Sequence, residues 1–440
     1  MSSSKDVYIL KAPMIRVAIN GYGRIGRIAH RVIAQWHNDE IDVVAINAGS
    51  STDLAGWMYL LKYDSVYGLF PMEVSIKPSA DTTNPSFLGH LVVSGKEIPV
   101  YSQKDPTALP WKDRNVDVVI EATGHFTTVE KAQAHIAAGA KSVVLSAPAK
   151  GEGIKTYVIS VNENAYQGEQ IISNASCTTN CIAPVAKIIH EKFGVEKAMM
   201  TTIHAFTSDQ RVHDGGHKDH RRARAASQNI VPTSTGASKA VGEAYPALQG
   251  IFGGLSIRVP VAVGSLSDFT FLVKTPVTKE AVNELFKKEA QNPVYRGIMT
   301  VTEDPVVSTD IIGNSHSSIV DLALTQVVGE TMLKVVAWYD NEYGYANRLV
   351  EQVVMVGEKQ APAASPPAAP ATTGVPGALP QAQPNHSVAS YSSAQPMDDI
   401  QKAQSIVDQL AAQQSSVVSA SNDQSSASPT GLDTNAKQQP

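Results

Sequence analysis

Two short apolar runs, Arg16–Ile19 (RVAI) and Asp42–Ile46 (DVVAI), flank the turn Gly21-Tyr22-Gly23-Arg24-Ile25-Gly26. The residues that follow place Ile25, Ile28, Ala29, Val32, Ile33 and Trp36 on one face of a helix. This strand, glycine turn, amphipathic helix and second strand restrict the opening of the chain to a β-α-β unit with a right-handed crossover. The first glycine allows a tight turn, the second lets backbone approach a pyrophosphate, and the third lets helix and strand pack closely. The helix N-terminus then faces the phosphates, so the spacing implies dinucleotide binding.

The alternation continues. Val116–Ala122 and Ser142–Ser146 are apolar strands separated by a helical stretch, Thr128–Ala138. A doubly wound α/β region is expected up to residue 175. From residue 195 longer β-rich runs take over, at Ala198–Ala205, Ser267–Lys274 and Thr331–Ala337. These predict an α+β domain on a largely antiparallel sheet. The expected divisions are 14–175, 176–341, a returning helix at 342–359 and a tail at 360–440.

Composition sets the tail apart. Its 81 residues hold no Glu, no Arg and one aromatic, Tyr391, but 10 of the 25 prolines. Such a segment buries too little apolar area to offset its ordering entropy, so a disordered tail is expected. Residues 397–412 carry Ile400, Ala403, Val407 and Leu410 at helical spacing, either a transient helix or a site for a protein partner. A net charge of −5 gives no pull toward nucleic acid, and no apolar run is long enough for a membrane span. A cytoplasmic protein is expected.

At the end of the second strand, where an NAD site usually offers a carboxylate to the ribose, the chain reads Asn47-Ala48-Gly49-Ser50-Ser51. Hydroxyls and free amides can donate to a 2′-phosphate that a carboxylate would repel. NADP is therefore the expected cofactor, with NAD as the alternative. The only two cysteines, Cys177 and Cys181, lie in Ser173-Asn-Ala-Ser176-Cys177-Thr178-Thr179-Asn180-Cys181, between a strand and an apolar-periodic helix. Cys177 is placed at a helix N-terminus, where amides and the helix dipole favour a thiolate nucleophile. Cys181 reads as a packing residue, and two cysteines are too few for a metal site built on thiolates.

SNASCTTNC, together with INGYGRIGR, LLKYDSVYG, EATGHFT, LSAPAK, TTIHAFTSDQ, HRRARAA, PTSTGASKAVG, IRVPV and WYDNEYGY in that order, resembles phosphorylating glyceraldehyde-3-phosphate dehydrogenase over residues 14–357. The resemblance implies reversible oxidation of the aldehyde to 1,3-bisphosphoglycerate through a thioester on Cys177, with His204 as acid and base. It assigns Thr207, Asp209, Arg222 and Arg258 to the substrate's phosphate, and Ser176, Thr178, Thr235 and Gly236 to the attacking inorganic phosphate. On the cofactor side it implies Gly21, Gly23, Arg24, Ile25, Gly26, Ala48, Lys104, Thr123, Gly124 and Ser146. Asn341 matches the amide that holds the nicotinamide carboxamide, and Tyr345 an aromatic packed near the ring. A homotetramer is implied, and no metal.

Three departures from the family pattern stand out. Ala48 stands where NAD-using members have Asp, Gly215-Gly216 replace a Leu-Pro pair, and His125 replaces a frequent Arg. The first two make room for a 2′-phosphate, and Lys104 keeps a cation nearby. His125 has no account. An NAD-linked form and an erythrose-4-phosphate dehydrogenase share this chemistry and remain open, as does a scaffold protein acting through its tail.

Overall fold

A computed structural model describes residues 13–360. The expectations for a disordered tail and for the helix at 397–412 lie outside these residues.

The opening unit forms as its spacing predicts: β1 (Ile15–Asn20), α1 (Arg24–Trp36) and β2 (Ile41–Asn47), with β1 and β2 parallel. Ile28, Ala29, Val32 and Ile33 of α1 are buried against Val17 and Ile19 of β1. α2 (Leu54–Lys62) follows, capped by Asp53, and a two-residue hairpin is made by β3 (Tyr63–Asp64) and β4 (Gly68–Leu69). The chain then runs through β5 (Val74–Pro78), β6 (Phe87–Val93) and β7 (Lys96–Tyr101), an antiparallel extension absent from the sequence expectations. At the tip of its second hairpin Ser94 and Gly95 have φ of 48° and 81°, the left-handed pair that a tight hairpin turn requires.

Parallel winding resumes with β8 (Val118–Glu121), α3 (Val129–Ala137), β9 (Ser142–Leu145), β10 (Lys155–Thr156) and β11 (Ile171–Ser173). The nine strands lie in the order β10-β11-β9-β8-β1-β2-β7-β6-β5. The winding reverses at β1, which pairs in parallel with β2 on one side and β8 on the other, so this is a doubly wound sheet whose ligand crevice is expected at the carboxyl ends of the strands.

α4 (Cys177–Phe193) leads into the second sheet. β12 (Val195–Ala205), β13 (Val231–Thr233), α5 (Ala237–Ala244), β14 (Phe252–Val259), β15 (Ser265–Val273), α6 (Lys279–Ala290), β16 (Met299–Thr302), β17 (Ser318–Asp321), β18 (Gln326–Val328) and β19 (Met332–Tyr339) follow. Its pairings are antiparallel except β12 with β14 and β16 with β17. α4, α5 and α6 cover one face: Ile182, Val185, Ala240, Val241, Val282 and Phe286 share a core with Phe269, Phe271, Val335 and Ala337. α7 (Tyr343–Gln360) returns to the first sheet, where Leu349, Val350, Val353 and Val356 join the core of α1 and β1.

Candidate functional site

Backbone strain sets the entry to α4. Ala175 has φ of +55°, a left-handed conformation uncommon outside glycine, and three contacts hold the turn. Tyr345 donates its hydroxyl to Ala175 O at 3.2 Å, Ser173 Oγ accepts Ala175 N–H at 3.0 Å, and Asn180 Nδ2 donates to Asn174 O at 2.8 Å. Ser176 then caps α4, its Oγ accepting Thr179 N–H at 3.1 Å, and Cys177 is the first helical residue.

Cys177 Sγ lies 3.3 Å from His204 Nε2. His204 comes from the end of β12 and is buried, in register with Arg258 of the parallel strand β14. Its Nδ1 is 2.6 Å from Ala205 O. A carbonyl oxygen only accepts, so Nδ1 carries the hydrogen and Nε2 presents its lone pair to the thiol. Arg258 Nη1, 2.8 Å from Nδ1 and 3.3 Å from Ala205 O, then donates to the carbonyl. Thr178 Oγ1 is 3.0 Å from Tyr339 OH, which is 2.8 Å from Thr202 Oγ1, and the Tyr339 ring meets His204 edge-on at 6.0 Å.

The electrostatics here differ from the sequence expectation. Burial pushes the Cys177 thiol up, opposed by the Arg258 guanidinium and the amides at the start of α4. Burial also holds the His204 imidazole down to about 3, with Arg258 acting in the same direction. Burial of the thiol thus opposes the helix-start stabilisation on which the thiolate expectation for Cys177 rests. Burial disfavours either charge formed alone, because each loses its hydration.

Around this pair the anion-binding candidates fall into two states. Arg258 makes no ion pair with a carboxylate among the described residues, and its buried Nε has no partner. Arg222 is already paired with Asp209 and lies 3.4 Å from Asp219, and it also donates to Ser234 O at 3.4 Å. Thr207 is half-buried, Thr235 Oγ1 accepts Ala237 N–H at 3.2 Å, and Gly236 caps α5. Ser176 and Thr178 have hydroxyls that are engaged within the protein, with Thr179 and Tyr339.

The glycine turn has the shape a dinucleotide needs. Gly21 has φ of +95°, a Cβ on Gly26 would sit 2.1 Å from Gly21 O, and a Cβ on Gly23 would meet nothing within 4 Å. The space beside Gly23, at the N-terminus of α1, is thus open to a phosphate. Ile25 lies in the first turn of α1, while the Arg24 side chain is drawn away, bonding Asp64 at 2.7 Å and Glu342 at 2.9 Å. Arg24 can therefore offer that space only its backbone.

Ala48 follows β2 directly, its N–H bonded to Tyr101 O at 2.8 Å, and Lys104 is exposed. Asp53, the nearest acid after Ala48, accepts Gly56 N–H at 2.7 Å as the cap of α2. Thr123 turns inward: its N–H donates to Glu121 Oε1 at 2.9 Å and its hydroxyl bonds the same carboxylate. Gly124, with φ of +71°, leaves open space, Ser146 is half-buried, and His125 is exposed, its imidazole without a partner among the described residues. Asn341 Oδ1 accepts from Gly264 N at 3.2 Å and from Ser265 Oγ at 2.9 Å. Tyr345 is buried against Ala175. The Gly215-Gly216 loop is pinned by Gly215 N to Ala223 O and by Arg211 Nε to Gly216 O, both 2.9 Å.

Residues 15–129 match the family model described as glyceraldehyde 3-phosphate dehydrogenase, NAD binding domain, and residues 176–341 match its C-terminal domain. Glyceraldehyde-3-phosphate dehydrogenase 2 of Streptomyces avermitilis is 49% identical over 347 residues, covering 78% of this chain and 99% of the relative. The chain belongs to the glyceraldehyde 3-phosphate dehydrogenase family. The corresponding proteins of Mycolicibacterium smegmatis and Mycobacterium tuberculosis are 47% and 48% identical, with the same coverage. The chain is accordingly an oxidoreductase with a Rossmann-type NAD(P)-binding domain. No described helix is long and apolar enough to cross a membrane.

Sequence reasoning about this dehydrogenase passes over Ser265, Tyr339, Thr202 and Glu121. Three carry hydroxyls and one a carboxylate, residue types too common to single out. Their partners lie up to 161 residues away in the chain, so spacing carries no signal.

Proposed function

We propose that the chain catalyses the reversible phosphorylating oxidation of D-glyceraldehyde 3-phosphate to 1,3-bisphosphoglycerate, with NADP preferred over NAD. The 3.3 Å contact between Cys177 Sγ and His204 Nε2 at a helix N-terminus carries this reading. As Sγ attacks the aldehyde carbon, its proton passes to Nε2 and returns to the developing alkoxide, giving a hemithioacetal. Both charges arise together and in contact, which offsets the burial that disfavours each alone. His204 then takes the hydroxyl proton as the hydride departs, leaving a thioester on Cys177. The nicotinamide ring, when bound, accepts that hydride. An oxygen of inorganic phosphate attacks the acyl carbon, the C–S bond breaks, and the thiol is restored as the acyl phosphate leaves.

Arg258, half-buried and without a carboxylate partner among the described residues, is suited to a phosphate dianion, with Arg222, Asp209 and Thr207 beside it. Ser176, Thr178, Thr235 and Gly236 are assigned to the attacking phosphate, so Ser176 and Thr178 must exchange an internal hydrogen bond for one to that anion. Residues 14–175 hold the dinucleotide, 176–341 the reacting groups, and 342–359 return to the first part. Gly21, Gly23, Gly26 and the amides of Arg24 and Ile25 would hold the pyrophosphate, while Asn341 and Tyr345 serve the nicotinamide end. Lys104 is assigned to the adenine and ribose side, and Thr123, Gly124 and Ser146 to the cofactor.

Preference for NADP rests on Ala48 and on Asp53, whose carboxylate is committed to a cap. The second sheet leaves its outer face uncovered, with Met199 63%, Leu255 41% and Met332 49% exposed, which suits subunit contact in a homotetramer. Steady-state rates with both dinucleotides, on glyceraldehyde 3-phosphate and erythrose 4-phosphate, test the reading. A clear preference for the four-carbon aldehyde, or for NAD, would overturn the corresponding part.

A further inference from the structure

Ser265 opens β15, paired with Tyr339 two residues before Asn341, and is 1% exposed. Its Oγ lies 3.1 Å from Ala205 N and 2.9 Å from Asn341 Oδ1. A hydroxyl has one hydrogen to give. Ala205 N–H can only donate, so Oγ accepts from it and keeps its own hydrogen for Asn341. Gly264 N–H, 3.2 Å away, can only donate, so the atom of Asn341 facing both groups is the oxygen, and Ser265 gives its hydrogen to it. Gly264 is suited only to glycine: its φ is +94°, and a Cβ there would meet Ser308 O at 2.2 Å.

We propose that Ser265 is a positioning residue for the nicotinamide end of the cofactor, holding the Asn341 amide so that its NH2 stays turned toward the ligand. The inference rests on the reading of Asn341 given above. Reversing the amide would set NH2 against the Gly264 N–H and leave the Ser265 hydrogen without its acceptor. The donor end, which makes no hydrogen bond among the described residues, is then always the end offered to a carboxamide oxygen. The same hydroxyl receives Ala205 N–H, and Ala205 O in turn takes the Nδ1–H of His204. One buried side chain thus ties the orientation of the catalytic imidazole to that of the amide.

The test compares equilibrium binding of intact dinucleotides with fragments that lack only the nicotinamide. Calorimetry on the full chain would use NADP and NAD against ADP-ribose 2′-phosphate and ADP-ribose. Ser265→Ala is expected to weaken the intact molecules by roughly 3–10-fold, the range of one lost hydrogen bond, and to leave the fragments unchanged. With deuterated aldehyde, the variant should also deliver deuterium to both faces of the ring where the unmutated protein uses one. Equal weakening of fragments and intact dinucleotides would mean a structural role, and no change in either would mean none; both overturn the proposal.

Asn341→Ala separates the two layers. If it removes the preference for intact dinucleotide and Ser265→Ala does not, the inference fails and the reading of Asn341 stands. If Asn341→Ala leaves that preference intact, the reading itself fails and takes the inference with it. Should Ser265→Ala not fold, Ser265→Cys, a weak donor of similar shape, makes the same comparison with the same deciding outcomes.

Discussion

His204 approaches Cys177 with the nitrogen that carries no hydrogen: Nε2 is 3.3 Å from Sγ while Nδ1–H is held by Ala205 O at 2.6 Å. This arrangement makes the imidazole a base toward one atom only. His204→Asn, which keeps a polar group without a usable lone pair on nitrogen, should slow aldehyde oxidation by about 10²–10⁴-fold. A kcat within a factor of a few of the unmutated value would show that the proton goes elsewhere.

The two cysteines should separate sharply. Cys177 is partly exposed, whereas Cys181 is fully buried and its thiol is pushed up to about 12. Cys177→Ser should abolish oxidation, and Cys181→Ala should cost far less. An alkylating probe followed by peptide mapping should label Cys177 first; equal labelling of both in the folded chain would count against the assignment.

Acid should destabilise the fold before most carboxylates titrate. Burial holds both His30 and His204 down to about 3, with Lys96 and Arg258 respectively adding to the effect. In the unfolded chain each takes a proton near pH 6.5, so below that pH the unfolded state binds more protons than the native one. Stability contributed by the neutral imidazoles is present above about pH 6.5 and is lost as the pH falls toward 3. Each group accounts for up to about 1.4 kcal/mol per pH unit. Urea midpoints measured from pH 7.5 to 4.5 should fall, and His30→Gln should flatten the fall; a flat profile would refute it.

Cofactor preference turns on Ala48. Ala48→Asp places a carboxylate where it can accept hydrogen bonds from ribose hydroxyls, a charged interaction of roughly 1.5–3 kcal/mol, and where it repels a group of about −1.5 to −2 charge. The ratio of kcat/KM for NADP over NAD should drop by at least about tenfold, equivalent to roughly 1.4 kcal/mol. An unchanged ratio would show that the end of β2 does not read the 2′ position.

What the sequence discloses follows how local each cause is. Gly21, Gly23 and Gly26 are legible because each acts within one turn, and the structure gives each the space or conformation its spacing predicts. α3 is legible for the same reason, since Thr128 accepts Lys131 N–H as its cap. The hairpin between β6 and β7 is equally local, and the reading passes over its Ser94-Gly95 tip. Cys177 and His204 meet across 27 residues, so residue types and family motifs suggest the pair but not the burial that opposes either charge formed alone. Thr123 shows the same limit: its motif suggests a ligand contact, while the buried Glu121 claims both of its donors.

The most direct test of the account is a single exposure of the protein to glyceraldehyde 3-phosphate and NADP with inorganic phosphate withheld. A thioester on Cys177 that only phosphate releases predicts a burst of one reduced dinucleotide per subunit, near-arrest, an acyl adduct mapped to Cys177, and renewed turnover when phosphate is added. Steady turnover without phosphate, or an adduct on any other residue, would contradict it.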